Sequence, residues 1–153
     1  VVARRKTTDG AGVVHHYNEV LAGDAMDRGP LMLSWEEVAH ASVAAESGSN
    51  VVIHEFAHQL DQENGAANGA PFMRSRSRRA RWAEVLGREY AALQSRIAGG
   101  EPSLIDAYGA TNPAEFFAVV SEAFFERPRE LAAGHPGLYA EFSRFYRVNP
   151  LSW

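Results

Sequence analysis

The most constraining stretch of this chain is Val51-Val52-Ile53-His54-Glu55-Phe56-Ala57-His58-Gln59-Leu60-Asp61, an H-E-x-x-H pattern inside an apolar run. Read as a helix, it places His54 and His58 one turn apart on the same face, where both imidazoles can reach one metal ion. Ile53, Phe56 and Leu60 recur at helical spacing on another face and are expected to anchor the helix in the core. Glu55 follows the first ligand and points to the side, toward the position a water would take. Two imidazoles, one carboxylate and an open fourth position suit a catalytic zinc site rather than a closed structural one. The bland alternative is a core helix whose two histidines are satisfied by neighbours. Flanking signals favour a real helix: Ser47-Gly48-Ser49-Asn50 is a start and Asn64-Gly65 a stop.

A length of 153 residues suffices for one domain with a core, and 46% hydrophobic with 22% charged residues is a globular composition. The net charge of -4 gives no general attraction to nucleic acid or anionic membranes, so neither is expected as a partner. Without cysteine there are no disulfides and no thiolate ligands, which fits a reducing, cytoplasmic location. No run approaches membrane-spanning length and no leader pattern is seen. The chain begins Val1-Val2 rather than with methionine and reads as part of a longer one.

In chain order, Val1 to Gly12 reads as a strand remnant or tail plus loop. The apolar runs at Val13–Leu21 and Leu31–Leu33 read as strands able to pair as an antiparallel hairpin. His15 and His16, adjacent in a strand, face opposite sides and are ordinary strand residues; His40 and His135 stand alone. Ser34-Trp35-Glu36-Glu37 opens a helix running to about Ala45. Residues 62–72 form a glycine- and asparagine-rich loop bordering the proposed site. The arginine run from Arg74 to Arg81 is either a phosphate-binding patch or, as the acidic balance favours, the solvated start of a helix. That helix carries Trp82, Val85, Leu86, Tyr90, Leu93 and Ile97 to a stop at Gly99-Gly100. Asn112-Pro113-Ala114-Glu115 opens another, with asparagine as cap and proline at the first position. Pro128 interrupts it, a short helix follows at 129–133, and Pro136 opens a last one with Leu138, Tyr139, Phe142, Phe145 and Tyr146 on its apolar face.

A third ligand is needed, and Glu115 and Glu122 are the candidates. They share a face of a phenylalanine-rich helix, where an unpaired carboxylate is costly. Two turns separate them by about 10 Å, so both cannot bind one ion. Glu115 also suits a capping box, and chemistry alone leaves the two nearly even. Asp61, on the face of both histidines, is expected to orient an imidazole.

His54-Glu55-Phe56-Ala57-His58-Gln59-Leu60-Asp61, with Ile105-Asp106-Ala107-Tyr108 and the run from Asn112 to Glu122, resembles the Mlc titration factor A family of zinc-dependent peptidases. That family is structurally similar to the catalytic domain of anthrax lethal factor. The resemblance runs from about Gly12 to the C-terminus. It implies an α+β, zincin-like (gluzincin) metallopeptidase domain, mostly helical with a small N-terminal β-sheet. It implies that His54, His58 and Glu115 bind Zn2+, that Glu55 is the catalytic base and that Tyr108 matches the active-site tyrosine. Residues 1–153 then form a single catalytic domain, the C-terminal part of a longer family architecture whose additional N-terminal region is not among these residues. A strand at Leu31–Leu33 or Val13–Tyr17 is expected to offer the edge along which a peptide lies. The implied partners are a peptide or protein substrate and a transcriptional repressor, bound without any need for hydrolysis. Terminal (aminopeptidase-like) and internal cleavage both stay open.

Overall fold

Asn50 anchors the start of the first described helix in two ways. Its side-chain oxygen accepts the backbone N–H groups of Val52 and Ile53, satisfying donors that a helix start leaves without partners. Its own side-chain amide donates to Glu126 at 2.7 Å, on a helix 76 positions away. The computed structural model describes residues 50–153 throughout; ahead of them it describes the backbone of β1 (Val2–Thr8), β2 (Val14–Val20), β3 (Gly23–Ala25) and β4 (Leu31–Leu33). The helix expected at 34–45 and the lone His40 lie outside the described residues.

From residue 50 onward the chain forms α1 (Val51–Gln62), α2 (Arg76–Ala98), a 3-10 turn at Ala107–Ala110, α3 (Pro113–Glu126), α4 (Pro128–Gly134), α5 (Pro136–Tyr146) and a 3-10 turn at Pro150–Ser152. The punctuation follows the sequence closely. Ser75 caps α2 and Asn112 caps α3, and Pro113, Pro128 and Pro136 each stand in a first turn, where the missing N–H costs nothing. The arginine run forms the exposed opening turns of α2, as expected for a solvated helix start.

The expected α+β fold with one small N-terminal sheet is corrected by this architecture. Residues 50–153 contain helix and turn, with no strand and no sheet. The strands ahead of them form two separate antiparallel ladders, β1 with β2 (Val2 opposite Val20) and β3 with β4 (Gly23 opposite Leu33). The 13–21 and 31–33 runs therefore do not pair with each other. Each takes a partner close in sequence, and closing a short loop costs less entropy than a longer one. Those partners, Val2–Thr8 and Gly23–Ala25, are largely polar or only three residues long, so they carry little apolar signal.

The core is built around α3, whose residues Phe116 to Phe124 are all buried. Its phenylalanines meet Trp82 of α2 and Phe142, Phe145 and Tyr146 at or near α5, with Trp82 stacked on Phe142 at 5.2 Å and set edge-on to Phe117 at 5.8 Å. Rings at such spacings gain beyond simple area burial. Helix α1 departs from its expected packing. Its buried residues are Glu55, Ala57 and Asp61; Ile53 and Leu60 are half-buried, and Phe56 is 54% exposed. The helix turns its polar face toward α3, because the carboxylates there satisfy its histidines and its N-terminus.

Truncating Phe124, fully buried against Phe142 and Tyr146, is therefore expected to cost about 3–5 kcal/mol. Phe56→Ala is expected to cost less than about 1 kcal/mol. Urea unfolding of both variants checks this; equal costs would contradict the packing described.

Candidate metal centre

Three side chains from two helices converge at one point. Nε2 of His54 lies 3.2 Å from Nε2 of His58 and 3.0 Å from Oε2 of Glu115, and His58 Nε2 lies 3.3 Å from the same oxygen. The i, i+4 spacing on α1 sets the two imidazoles edge to face, 4.8 Å apart. The Asn112 cap accepts the Glu115 N–H at 3.0 Å and sets the first turn of α3 against them. A tetrahedral ion with ligand bonds of about 2.0–2.1 Å needs ligand atoms about 3.3 Å apart. The triangle has these edges, so the residues present fit the ion that their chemistry suggests.

His54 has a second carboxylate on its other ring nitrogen: Nδ1 lies 2.6 Å from Oε1 of Glu122. The far oxygen of Glu122 accepts the backbone N–H of Asn50. Glu115 and Glu122 thus take opposite edges of one imidazole, so their two-turn separation gives each its own role. The orienting part expected of Asp61 is taken, at His54, by Glu122. Asp61 is fully buried at the end of α1, where its Oδ2 accepts the Gly69 N–H at 2.6 Å. Burial pushes its carboxyl up from the usual range, and hydrogen bonds from the backbone at Gly69, Asn68 and Ala70, with the nearby His58, oppose that. Gly69 also accepts from the Trp82 indole at 2.9 Å and sits at φ +75°, where a Cβ would lie 2.3 Å from the Pro113 carbonyl oxygen. Only glycine lets the loop lie this close to α3.

Burial alone would push the His54 imidazole down. The hydrogen bond to Glu122 and the charges of Glu122, Glu115 and Glu55 outweigh it and hold the group above the ordinary histidine value. Glu55, 8% exposed, lines a cavity of about 570 Å3 together with both imidazoles, Glu115 and Tyr108. Gln62, Asn68 and Asn112 also border it. The loop after α1 was expected here, whereas Asn112 gave no signal beyond its capping role. Tyr108 follows the Asp106 cap on the 3-10 turn, 54% exposed, with its ring 6.0 Å from that of His54. Its phenol is pushed up by burial and by the charge of Glu115, to which its hydroxyl donates. His135 lies apart, paired with Glu89 at 2.8 Å. His15 and His16 fall on β2, of whose side chains nothing is described.

Residues 1–147 match the family described as glucose-regulated metallo-peptidase M90. An uncharacterized protein of Synechocystis sp. is 43% identical over 149 residues, which cover 97% of this chain and 54% of that one. The Mlc titration factor A proteins of Yersinia pestis (strain Pestoides F) and Yersinia pseudotuberculosis (serotype O:1b) are 41% identical over 147 residues, covering 94% of this chain and 53% of each relative. The chain spans about half the length of the curated relatives it matches. None of the described helices is long and apolar enough to cross a membrane.

In chelator-treated protein, NMR titration is expected to place His54 above about 6.5 and to show Glu122→Gln lowering it. A group raised in the folded state contributes stability that is complete below the unfolded value. That stability is lost as pH rises through the folded value. A His54 titration indifferent to Glu122→Gln would contradict this geometry.

Proposed function

Because the chain belongs to the glucose-regulated metallo-peptidase M90 family, we propose that residues 1–153 are the catalytic domain of a zinc-dependent peptidase. In this reading His54, His58 and Glu115 hold the ion, Glu55 is the general base and Tyr108 the oxyanion donor. The observation that carries it is the triangle of ligand atoms with edges of 3.0 to 3.3 Å. Nitrogen and carboxylate donors without thiolates suit zinc at a catalytic site.

When bound, such an ion supplies Lewis acidity toward a carbonyl oxygen and lowers the pKa of water toward neutrality. The protein's own groups do the rest. Glu55, beside both imidazoles on the cavity wall, accepts a proton from the attacking water and returns it to the leaving amine. The new C–O bond and the broken C–N bond give one carboxylic acid and one amine. Tyr108 swings its hydroxyl from Glu115 to the oxygen on which negative charge develops. Glu122 holds the His54 ring, so that Nε2 stays aimed into the site.

A second reading follows from the name of the Yersinia relatives. In it, the chain is a module that titrates a protein partner, by family resemblance a transcriptional repressor, without needing hydrolysis. Undiminished partner binding by a metal-free Glu115→Ala variant would favour it.

Elemental analysis is expected to find about one zinc per chain. Glu115→Ala should lose it, and Glu122→Gln should weaken binding roughly 10–100-fold. Glu55→Gln should keep the metal while peptide hydrolysis falls by at least about 10²–10⁴, and Tyr108→Phe should lower kcat by about 10²–10³. Full hydrolysis in zinc-loaded Glu55→Gln would refute the assigned base.

A further inference from the structure

A second cavity, of about 190 Å3, adjoins the first: Asn68 and Pro113 line both. We propose that it is a specificity pocket of the peptidase site, taking an apolar substrate side chain of leucine, methionine or phenylalanine size. The inference rests on the peptidase reading above and names the substrate class for it.

The walls are Trp82, Leu86, Tyr90 and Phe116, with Ala83 and Gly87 on the exposed side of α2. Most of the polar atoms around it are already engaged. The Trp82 indole donates to the Gly69 carbonyl, the Tyr90 hydroxyl donates to the Ala110 carbonyl, and the Asn68 side-chain oxygen accepts from Ala70. No lining residue is charged. A charged side chain would lose its hydration there and meet no opposite charge, whereas an apolar one leaves water at no such cost. The size fits too, since an apolar cavity of about 150 Å3 already holds a benzene ring. The walls do not need a ligand to stand. Trp82 is buried between Phe117, Phe142 and Phe145, and Phe116 is buried edge-on to Tyr90.

Gly87 lines the pocket from α2. It sits in the middle of a 23-residue helix, where glycine is unfavourable relative to alanine. No positive φ demands it, and an added Cβ would meet nothing within 4 Å. Neither backbone conformation nor close packing explains it. It lines the cavity on the exposed side of α2, where a longer side chain has room to fill it.

The test compares peptides differing at one position (Ala, Leu, Phe, Lys or Asp) in wild type, Gly87→Ala and Gly87→Leu, all zinc-loaded. Both substitutions favour the helix, so folding is retained. Wild type is expected to prefer Leu or Phe over Asp and Lys by at least about tenfold in kcat/KM, the effect of a few methylenes in an apolar pocket. Gly87→Leu should erase that preference and leave the Ala peptide within about twofold. An unchanged preference, or an equal loss for every peptide, would overturn the proposal. Independently of cleavage, N-acetyl-phenylalanine amide should shift the Trp82 indole NMR signal in wild type but not in Gly87→Leu, and N-acetyl-aspartate amide should shift neither. This shift without any peptide cleavage would uphold the pocket and refute the peptidase reading; no shift would refute the pocket. A shift that follows protein concentration rather than probe would assign the surface to a second copy of the chain and overturn the proposal.

Discussion

The structure depends on one imidazole held between two carboxylates. His54 meets Glu115 through Nε2 and Glu122 through Nδ1, and both glutamates project from the buried helix α3. A carboxylate in such a helix is expensive without a partner. Here each has one, and the partner on α1 is oriented by the same contact. Asn50 extends the link, because its backbone N–H reaches Glu122 and its side chain reaches Glu126. The start of α1 is thus fixed to the far half of α3, while the turn carrying His54 and His58 meets the near half. Small changes in the register of either helix would break the convergence of His54, His58 and Glu115.

The other end of α1 is tied down by different chemistry with the same consequence. Asp61 holds the Gly69 N–H, the Trp82 indole holds the Gly69 carbonyl, and the Gly69 α-carbon rests near the Pro113 carbonyl. One glycine therefore joins α1, α2 and the start of α3. It also places the 68–70 loop between the two cavities. The aromatic core behind Trp82 backs this junction, so the walls of the site are continuous with the buried core.

Much of this was legible in the sequence wherever a local rule decides. The Asn112 cap, first-turn prolines and the 3.6-residue period marked α2 through α5 closely, because those signals act within a few residues. The pairing of His54 with His58 followed from helical geometry alone. Spacing on α3 narrowed the carboxylates to two without separating them, since Glu115 and Glu122 share a face and differ only in which edge of His54 they meet. Three expectations failed for reasons of tertiary structure. Phe56 looked like an anchor, but α1 packs through its polar face. Asp61 looked like the orienting partner of an imidazole, but its hydrogen bonds hold a loop backbone and it acts on His58 through charge alone. The 13–21 and 31–33 runs looked like a hairpin, but each pairs with a nearer segment of weak apolar signal, and residues 50–153 are helix and turn.

The most direct test of the central claim is anomalous diffraction from crystals of the zinc-soaked chain, measured on both sides of the zinc absorption edge. The account predicts one peak bounded by Nε2 of His54, Nε2 of His58 and a carboxylate oxygen of Glu115, each about 2.0–2.2 Å away, with Glu122 still on Nδ1 of His54. A peak coordinated by Glu122 in place of Glu115, or none at this cluster, would contradict it.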